Sequence, residues 1–93
     1  MANIRRLVWD RWNIGHIARH QVTPAEVEEL CHSDPEFSNT YDDRLRAIGR
    51  IVSGRMLTAI LAPEGEDVYY VVTARDASRK ARQRYRQLKG NPR

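Results

Sequence analysis

Between Leu45 and Ala74 apolar and polar residues alternate in three runs, the pattern expected of strands. In the first run, Leu45–Val52, one face carries Leu45, Ala47, Gly49 and Ile51, and the other carries Arg44, Arg46, Ile48 and Arg50. Three arginines on one strand face do not point into a core, so that face is expected to be open. The second run, Arg55–Ala62, is apolar on both faces from Met56 onward, which suits the middle strand of a sheet. In the third, Asp67–Ala74, Val68, Tyr70 and Val72 alternate with Tyr69, Val71 and Thr73. Ser53-Gly54 predicts a tight hairpin and Pro63-Glu64-Gly65-Glu66 a looser one, so the three runs form an antiparallel meander.

After Ala74 the period changes. Ala77, Ala81, Tyr85 and Leu88 form a narrow apolar stripe at helical spacing, and Arg75, Arg79, Arg82, Arg86 and Lys89 run beside it. Asp76 is the expected cap of this helix, and Gly90-Asn91-Pro92 its expected end. Six of the eleven residues from Arg79 to Lys89 are Arg or Lys, so the helix packs by a thin seam and displays charge over most of its girth.

Upstream, Ile4–Trp9 predicts a short first strand. Asp10 predicts the cap of a helix from Arg11 to His20, because its carboxylate accepts from the free N–H groups of the first turn. Ile14, Ile17 and Ala18 mark that helix's inner face, with Trp9 and Trp12 as core and rim. A second helix opens with Thr23 as cap, Pro24 in the first helical position and Glu26 closing a capping box. Its Val27, Leu30 and Cys31 face the core, it stops before Asp34-Pro35, and Ser33–Asp43 is expected to be a polar loop. Glu26, Glu28 and Glu29 are expected to form a solvated face. The whole reads as a single α+β domain spanning residues 1–93.

Charge sharpens the picture. The formal net charge is +4, but the distribution matters more. Seven carboxylates and no Lys or Arg lie between Thr23 and Asp43, whereas Arg75 to Arg93 carries eight basic residues against Asp76 alone. The asymmetry is consistent with a polyanionic partner, nucleic acid or an acidic protein, and the plain alternative is a solvated charged helix. A single cysteine, Cys31, excludes an internal disulfide. No apolar run approaches the roughly 20 residues of a membrane span, and the N-terminus lacks the apolar core of a signal peptide, so a cytoplasmic domain without membrane contact is expected.

The arginines are the first candidates for chemistry. Arg46 and Arg50 on the first meander strand can converge with Arg75 at the end of the last strand and with Arg79 or Arg82 on the helix. Guanidinium groups bind phosphate through two donors and keep their charge, so such a cluster holds a phosphodiester and stabilises charge developing on it. Next come His16 and His20, four apart and so on one helix face. That spacing suits zinc, with a third ligand from Cys31, His32 or a carboxylate, but no CxxC or HExxH pattern supports a metal site. A histidine near its ordinary pKa also serves as general acid or base, and the plainest alternative is a ring bonded to a backbone carbonyl. Tyr85, on the seam of the basic helix, is a core residue or a group that positions a base or phosphate.

Several short motifs, taken in order, resemble the BrnT-type toxins. Trp9-Asp10, Asn13, His16-Ile17, Arg19-His20, Val22-Thr23-Pro24 and Glu26-Val27-Glu28-Glu29 match the N-terminal pattern. Asp34-Pro35, Ile48-Gly49-Arg50 and Ser53-Gly54-Arg55 follow, and Thr73-Ala74-Arg75-Asp76 with Arg82 and Tyr85 closes the match, which spans residues 7–88. The resemblance implies a RelE-like α+β fold with two N-terminal helices, a meander sheet and a basic C-terminal helix. It also implies the toxin of a type II toxin–antitoxin system, a bacterial, metal-independent endoribonuclease that needs no cofactor and reduces translation. A ribbon-helix-helix antitoxin of the BrnA type neutralises such toxins, and promoter DNA is bound only by the toxin–antitoxin complex. On this reading Arg50, Arg75, Arg82, His20 and His16 are the catalytic candidates, and Arg46, Arg79, Arg86 and Tyr85 the RNA-binding ones.

Two positions depart from the family pattern. Ala81 stands where a glutamate usually precedes the basic run, and Gln21 stands where a glycine usually follows the histidine. Ala81 removes a carboxylate able to pair with arginine or take a proton. It favours a second reading, a binding module that docks an antitoxin-like protein or nucleic acid through the arginine face without cutting it. A DNA repressor in its own right is disfavoured, because no helix-turn-helix pattern is present.

Overall fold

The computed structural model describes residues 3–89. In chain order the elements are β1 (Arg6–Val8), α1 (Arg11–Ala18), α2 (Pro24–Cys31), β2 (Glu36–Thr40), a 3-10 turn (Tyr41–Asp43), β3 (Arg44–Arg50), β4 (Met56–Gly65), β5 (Val68–Asp76) and α3 (Arg79–Lys89). The strands form one sheet in the order β1-β5-β4-β3-β2. The expected meander is its centre, β3-β4-β5, with every pair antiparallel except β1, which lies parallel to β5.

α1 and α2 cover one face of the sheet. Ile17, Val22, Val27 and Leu30 meet Leu45, Ala47, Leu57, Ala59, Leu61, Val71 and Ala74 there, all buried. Gly49 permits this close packing: a Cβ on it would stand 3.1 Å from Leu30 Cδ1 and 3.2 Å from Pro35 Cβ. Pro35 and Gly49 are thus two sides of one contact. α3 packs across the other face, against β3 and β2. It has no fully buried residue. Ala81 and Tyr85 are half-buried, and Leu88, expected on the seam, is 49% exposed.

Both helix starts form as expected. Asp10 accepts from the N–H groups of Trp12 and Asn13, while the Asn13 side chain accepts from Asp10 N–H and donates to the Val8 carbonyl at 2.9 Å. The backbone N–H of Asn13, above all, holds the Asp10 carboxyl below the usual carboxylate range. Asn13 is buried by this arrangement, whereas Ile14 is 40% exposed, Trp12 74% exposed and Ala18, expected on the inner face, is exposed as well. The inner face of α1 is therefore narrower than the periodicity predicts. Thr23 and Glu26 close the second capping box.

α1 ends in a turn whose geometry bears on Gln21. Gln21 N–H bonds the Ala18 carbonyl at 2.9 Å and Val22 N–H the Ile17 carbonyl at 3.1 Å, and Gln21 adopts φ 59°. That left-handed conformation is cheap only for glycine. Gln21→Gly is therefore expected to raise stability by about 1 kcal/mol, read as a higher urea midpoint. An unchanged or lower midpoint would refute the strain.

Four expectations need correction. Ser33–Asp43 is not a loop, for Glu36–Thr40 forms the edge strand β2. It escapes the pattern because only Phe37 packs on the core. Tyr41–Asp43 turns the chain with Asp42 and Asp43 at positive φ. Asp76 does not cap α3. It ends β5 and binds Arg55 Nε at 2.6 Å, and Ser78 Oγ accepts from Ala81 N–H instead. The expected glutamate face is not merely solvated: Glu26 binds Arg55, Glu28 accepts from Trp9 Nε1, and Glu29 from Val52 N–H. β4 continues past Ala62 through Pro63, with register shifts at Ile60/Leu61 and Pro63/Gly65. The expected stop of α3 at Gly90-Asn91-Pro92 lies outside the described residues.

Candidate functional site

The arginines rise from the sheet face on which α3 packs, a face expected to be open but partly covered, with Ile48 buried there. Arg46 pairs across to Ile60, which pairs to Thr73; two residues along, Ile48 pairs to Thr58, which pairs to Arg75. Direct partners in a sheet share a face. Arg46 and Arg75 therefore rise from the same side, two strand spacings (about 10 Å) apart laterally. Arg46 Nε donates to Ser38 Oγ at 3.5 Å. β1 pairs only with Val68–Tyr70, which leaves the C-terminal half of β5 with no strand on that edge, and α1 packs against β5.

These elements enclose an open cleft of about 440 Å³ that brings together His16, His20, Arg46 and Arg75. Thr58, Thr73, Ser78, Thr40 and Tyr41 line it as well, and Ile60 and Ala81 complete it. The two imidazoles sit edge to face with ring centroids 5.7 Å apart. Among the described residues no carboxylate lines the cleft, and neither Arg46 nor Arg75 makes an ion pair. Thr58 Oγ1 is buried without a hydrogen-bond partner among the described residues. The cleft thus combines two guanidiniums free to hold an anion, two groups able to exchange a proton, and an unsatisfied hydroxyl on its floor.

Ala81 belongs to this cleft. A carboxylate there would compete with any anion for Arg46 and Arg75, so its absence leaves the site more positive. Asp76, one residue from Arg75, does not restore it. Asp76 pairs across to Leu57 on the helix-covered face, where the Arg55 guanidinium holds its carboxyl below the usual carboxylate range. Arg55 itself is a knot: Nη1 donates to the Gln21 carbonyl at 2.6 Å and to Glu26 Oε1 at 3.2 Å, and Nη2 donates to the His20 carbonyl at 3.1 Å. It fastens the turn after α1, which bears His20 because the helix stops at Ala18 rather than running to His20, to the end of β5 that bears Arg75.

The remaining candidates lie elsewhere. Arg50 is exposed, and its Nη1 donates to the Gly54 carbonyl at 2.8 Å within the β3–β4 turn. Arg79, Arg82 and Arg86 share a separate groove with Ala77 on another side of α3. Tyr85 is half-buried and lines neither the cleft nor that groove. Cys31 is buried on the helical side, its thiol pushed up to about 12 by burial, and His32 Nδ1 contacts the Glu28 carbonyl, so neither joins the other two histidines. Among the described residues no three His, Cys, Asp or Glu side chains gather as a metal set. A larger groove of about 740 Å³ lies beside α2 and β2, but its lining holds Asp34 and Glu36 and no arginine or lysine, which does not suit an anion.

The hydroxyl floor and the role of Arg55 escape sequence reasoning. Thr58 is a lone hydroxyl in an apolar strand, the one local signal for it. The motif Ser53-Gly54-Arg55 contains the knot residue without indicating what it binds.

Among solved structures, the ribonuclease toxin BrnT of Brucella abortus, determined at 1.1 Å, superposes with a TM-score of 0.64 at 27% sequence identity. The match covers 80% of this chain and 97% of that one. No protein-family model and no curated protein matches the sequence.

Proposed function

We propose that this chain, a BrnT-type toxin by its fold and its motifs, is the toxin of a type II toxin–antitoxin pair and cleaves RNA without a metal or cofactor. The observation that carries the reading is the convergence of His16, His20, Arg46 and Arg75 on one cleft. In this chemistry one imidazole takes the proton of a ribose 2′-hydroxyl, whose oxygen attacks the adjacent phosphorus. The bond from phosphorus to the 5′-oxygen breaks, the leaving oxygen takes a proton from the other imidazole, and a 2′,3′-cyclic phosphate remains. Arg46 and Arg75 donate to the non-bridging oxygens, where charge accumulates. His20 and His16 fill the two proton-transfer roles. Cleavage in the cytoplasm lowers translation, and a BrnA-like ribbon-helix-helix antitoxin neutralises the toxin and brings the pair to promoter DNA.

A second reading rests on Ala81. If proton transfer in this cleft requires the missing carboxylate, the chain is a binding module for RNA or an acidic partner. Induced expression in a bacterial host separates the two, with growth and RNA integrity followed together. Growth arrest with fragmented RNA is the expected result for wild type. Intact RNA with soluble wild-type protein, and fragmentation only by Ala81→Glu, would establish the second reading.

A further inference from the structure

We infer that the Arg79–Arg82–Arg86 stripe is a second phosphate-binding tract, holding single-stranded RNA that extends beyond the cleft. The inference rests on the ribonuclease reading for the identity of the polymer, and on the structure for the separation of the two tracts. The three arginines are exposed and line one groove with Ala77. None makes an ion pair among the described residues. At offsets of three and four residues they share one helix face and span about 10 Å along its axis. The cleft lies on another flank, where Ser78 and Ala81 line it. Ala77 lines the stripe and its neighbour Ser78 lines the cleft, so the two tracts meet at the start of α3.

The chemistry of the stripe selects its ligand. Protein docking surfaces draw their energy from buried apolar area and aromatic anchors. This groove has only Ala77, which is already buried. Its one resource is a row of like charges with rigid, two-pronged donors, which matches a polymer that carries an anion at every step. The groove has no aromatic side chain. Contact is therefore with the backbone, without base preference.

Length dependence tests this. Wild type and the Arg79→Gln/Arg82→Gln/Arg86→Gln variant, with equal melting as a check of fold, are titrated with a trinucleotide and a 12-nucleotide single strand, both carrying 2′-O-methyl groups to prevent cutting. Wild type is expected to bind the longer strand more tightly, and the variant to lose at least tenfold of that gain. The slope of log affinity against log salt for the 12-mer is expected to fall by about 2, three phosphates at roughly 0.7 each. An unchanged slope and length gain would overturn the inference, as would equal weakening for both strands, or loss of polyglutamate binding with RNA binding intact. Because the readout is binding, a wild-type protein that does not cleave refutes the ribonuclease reading while the stripe is still tested.

Discussion

Replacing Arg75 by Ala is expected to lower RNA cleavage by about 10²–10³-fold, the usual cost of removing one donor aimed at transition-state charge. Arg75 is held by its place opposite Thr58, and Arg46 by its place opposite Ile60, so backbone register aims both guanidiniums into the cleft. Among the described residues neither is paired with a carboxylate, so neither gives up an internal ion pair there to take a phosphate. Arg46→Ala is expected to fall in the same range. Arg75→Lys keeps the charge but loses the two-pronged geometry and is expected to recover only part of the activity. The measurement is single-turnover cleavage of a short RNA, with thermal melting to show that the fold persists. Activity within a few-fold of wild type in a folded Arg75→Ala protein would remove this cleft as the place of reaction.

Arg55→Met is expected to destabilise the domain by about 2–3 kcal/mol, since it removes charge-assisted bonds to two carbonyls and two carboxylates. The side chain is 23% exposed, so its ion pairs keep only part of their strength. The larger share comes from the His20 and Gln21 carbonyls left without a donor. Acid provides a second reading of the same knot. The Asp76 carboxyl is held below its ordinary value by hydrogen bonding to Arg55. Its contribution is therefore complete above the unfolded value near pH 4 and is lost as pH falls through the lower folded value. Arg55→Met lacks that contribution, so the stability gap between variant and wild type should narrow in acid. Urea unfolding at pH 7 and pH 3 checks both parts. Equal midpoints at pH 7 would refute the knot, and a gap that stays constant into acid would remove Asp76 from it.

The features legible in the sequence are those whose cause is local. Asp10 and Thr23 announce helix starts because their partners lie three residues on. Ser53-Gly54 announces its hairpin because Gly54 adopts φ 95°, which glycine alone accepts cheaply. The basic helix shows itself by composition. β2 stays hidden because an edge strand with one core residue has almost no period to display. Asp76 deceives because a carboxylate ahead of a helix suits a cap, while its true partner, Arg55, lies 21 residues earlier. The same limit governs the cleft. Spacing alone pairs His16 with His20, but their meeting with Arg46 and Arg75 depends on strand order. Of the candidate arginines, Arg46 and Arg75 enter the cleft, Arg79, Arg82 and Arg86 form their own stripe, and Arg50 braces a turn.

The topology also governs when the cleft comes into being. Its lining runs from His16 to Ala81, and β1 closes the sheet by pairing Arg6 with Val68. Such distant pairings form late, because a long loop must be closed before any contact rewards it. The β3–β4–β5 hairpins can fold from neighbouring sequence alone, but they carry the cleft's arginines and floor without its histidines. During synthesis the histidines leave the ribosome early and wait for β5 and α3. A nascent or truncated chain therefore has no complete cleft until Ala81 has emerged, so whatever chemistry the cleft supports is confined to the finished domain.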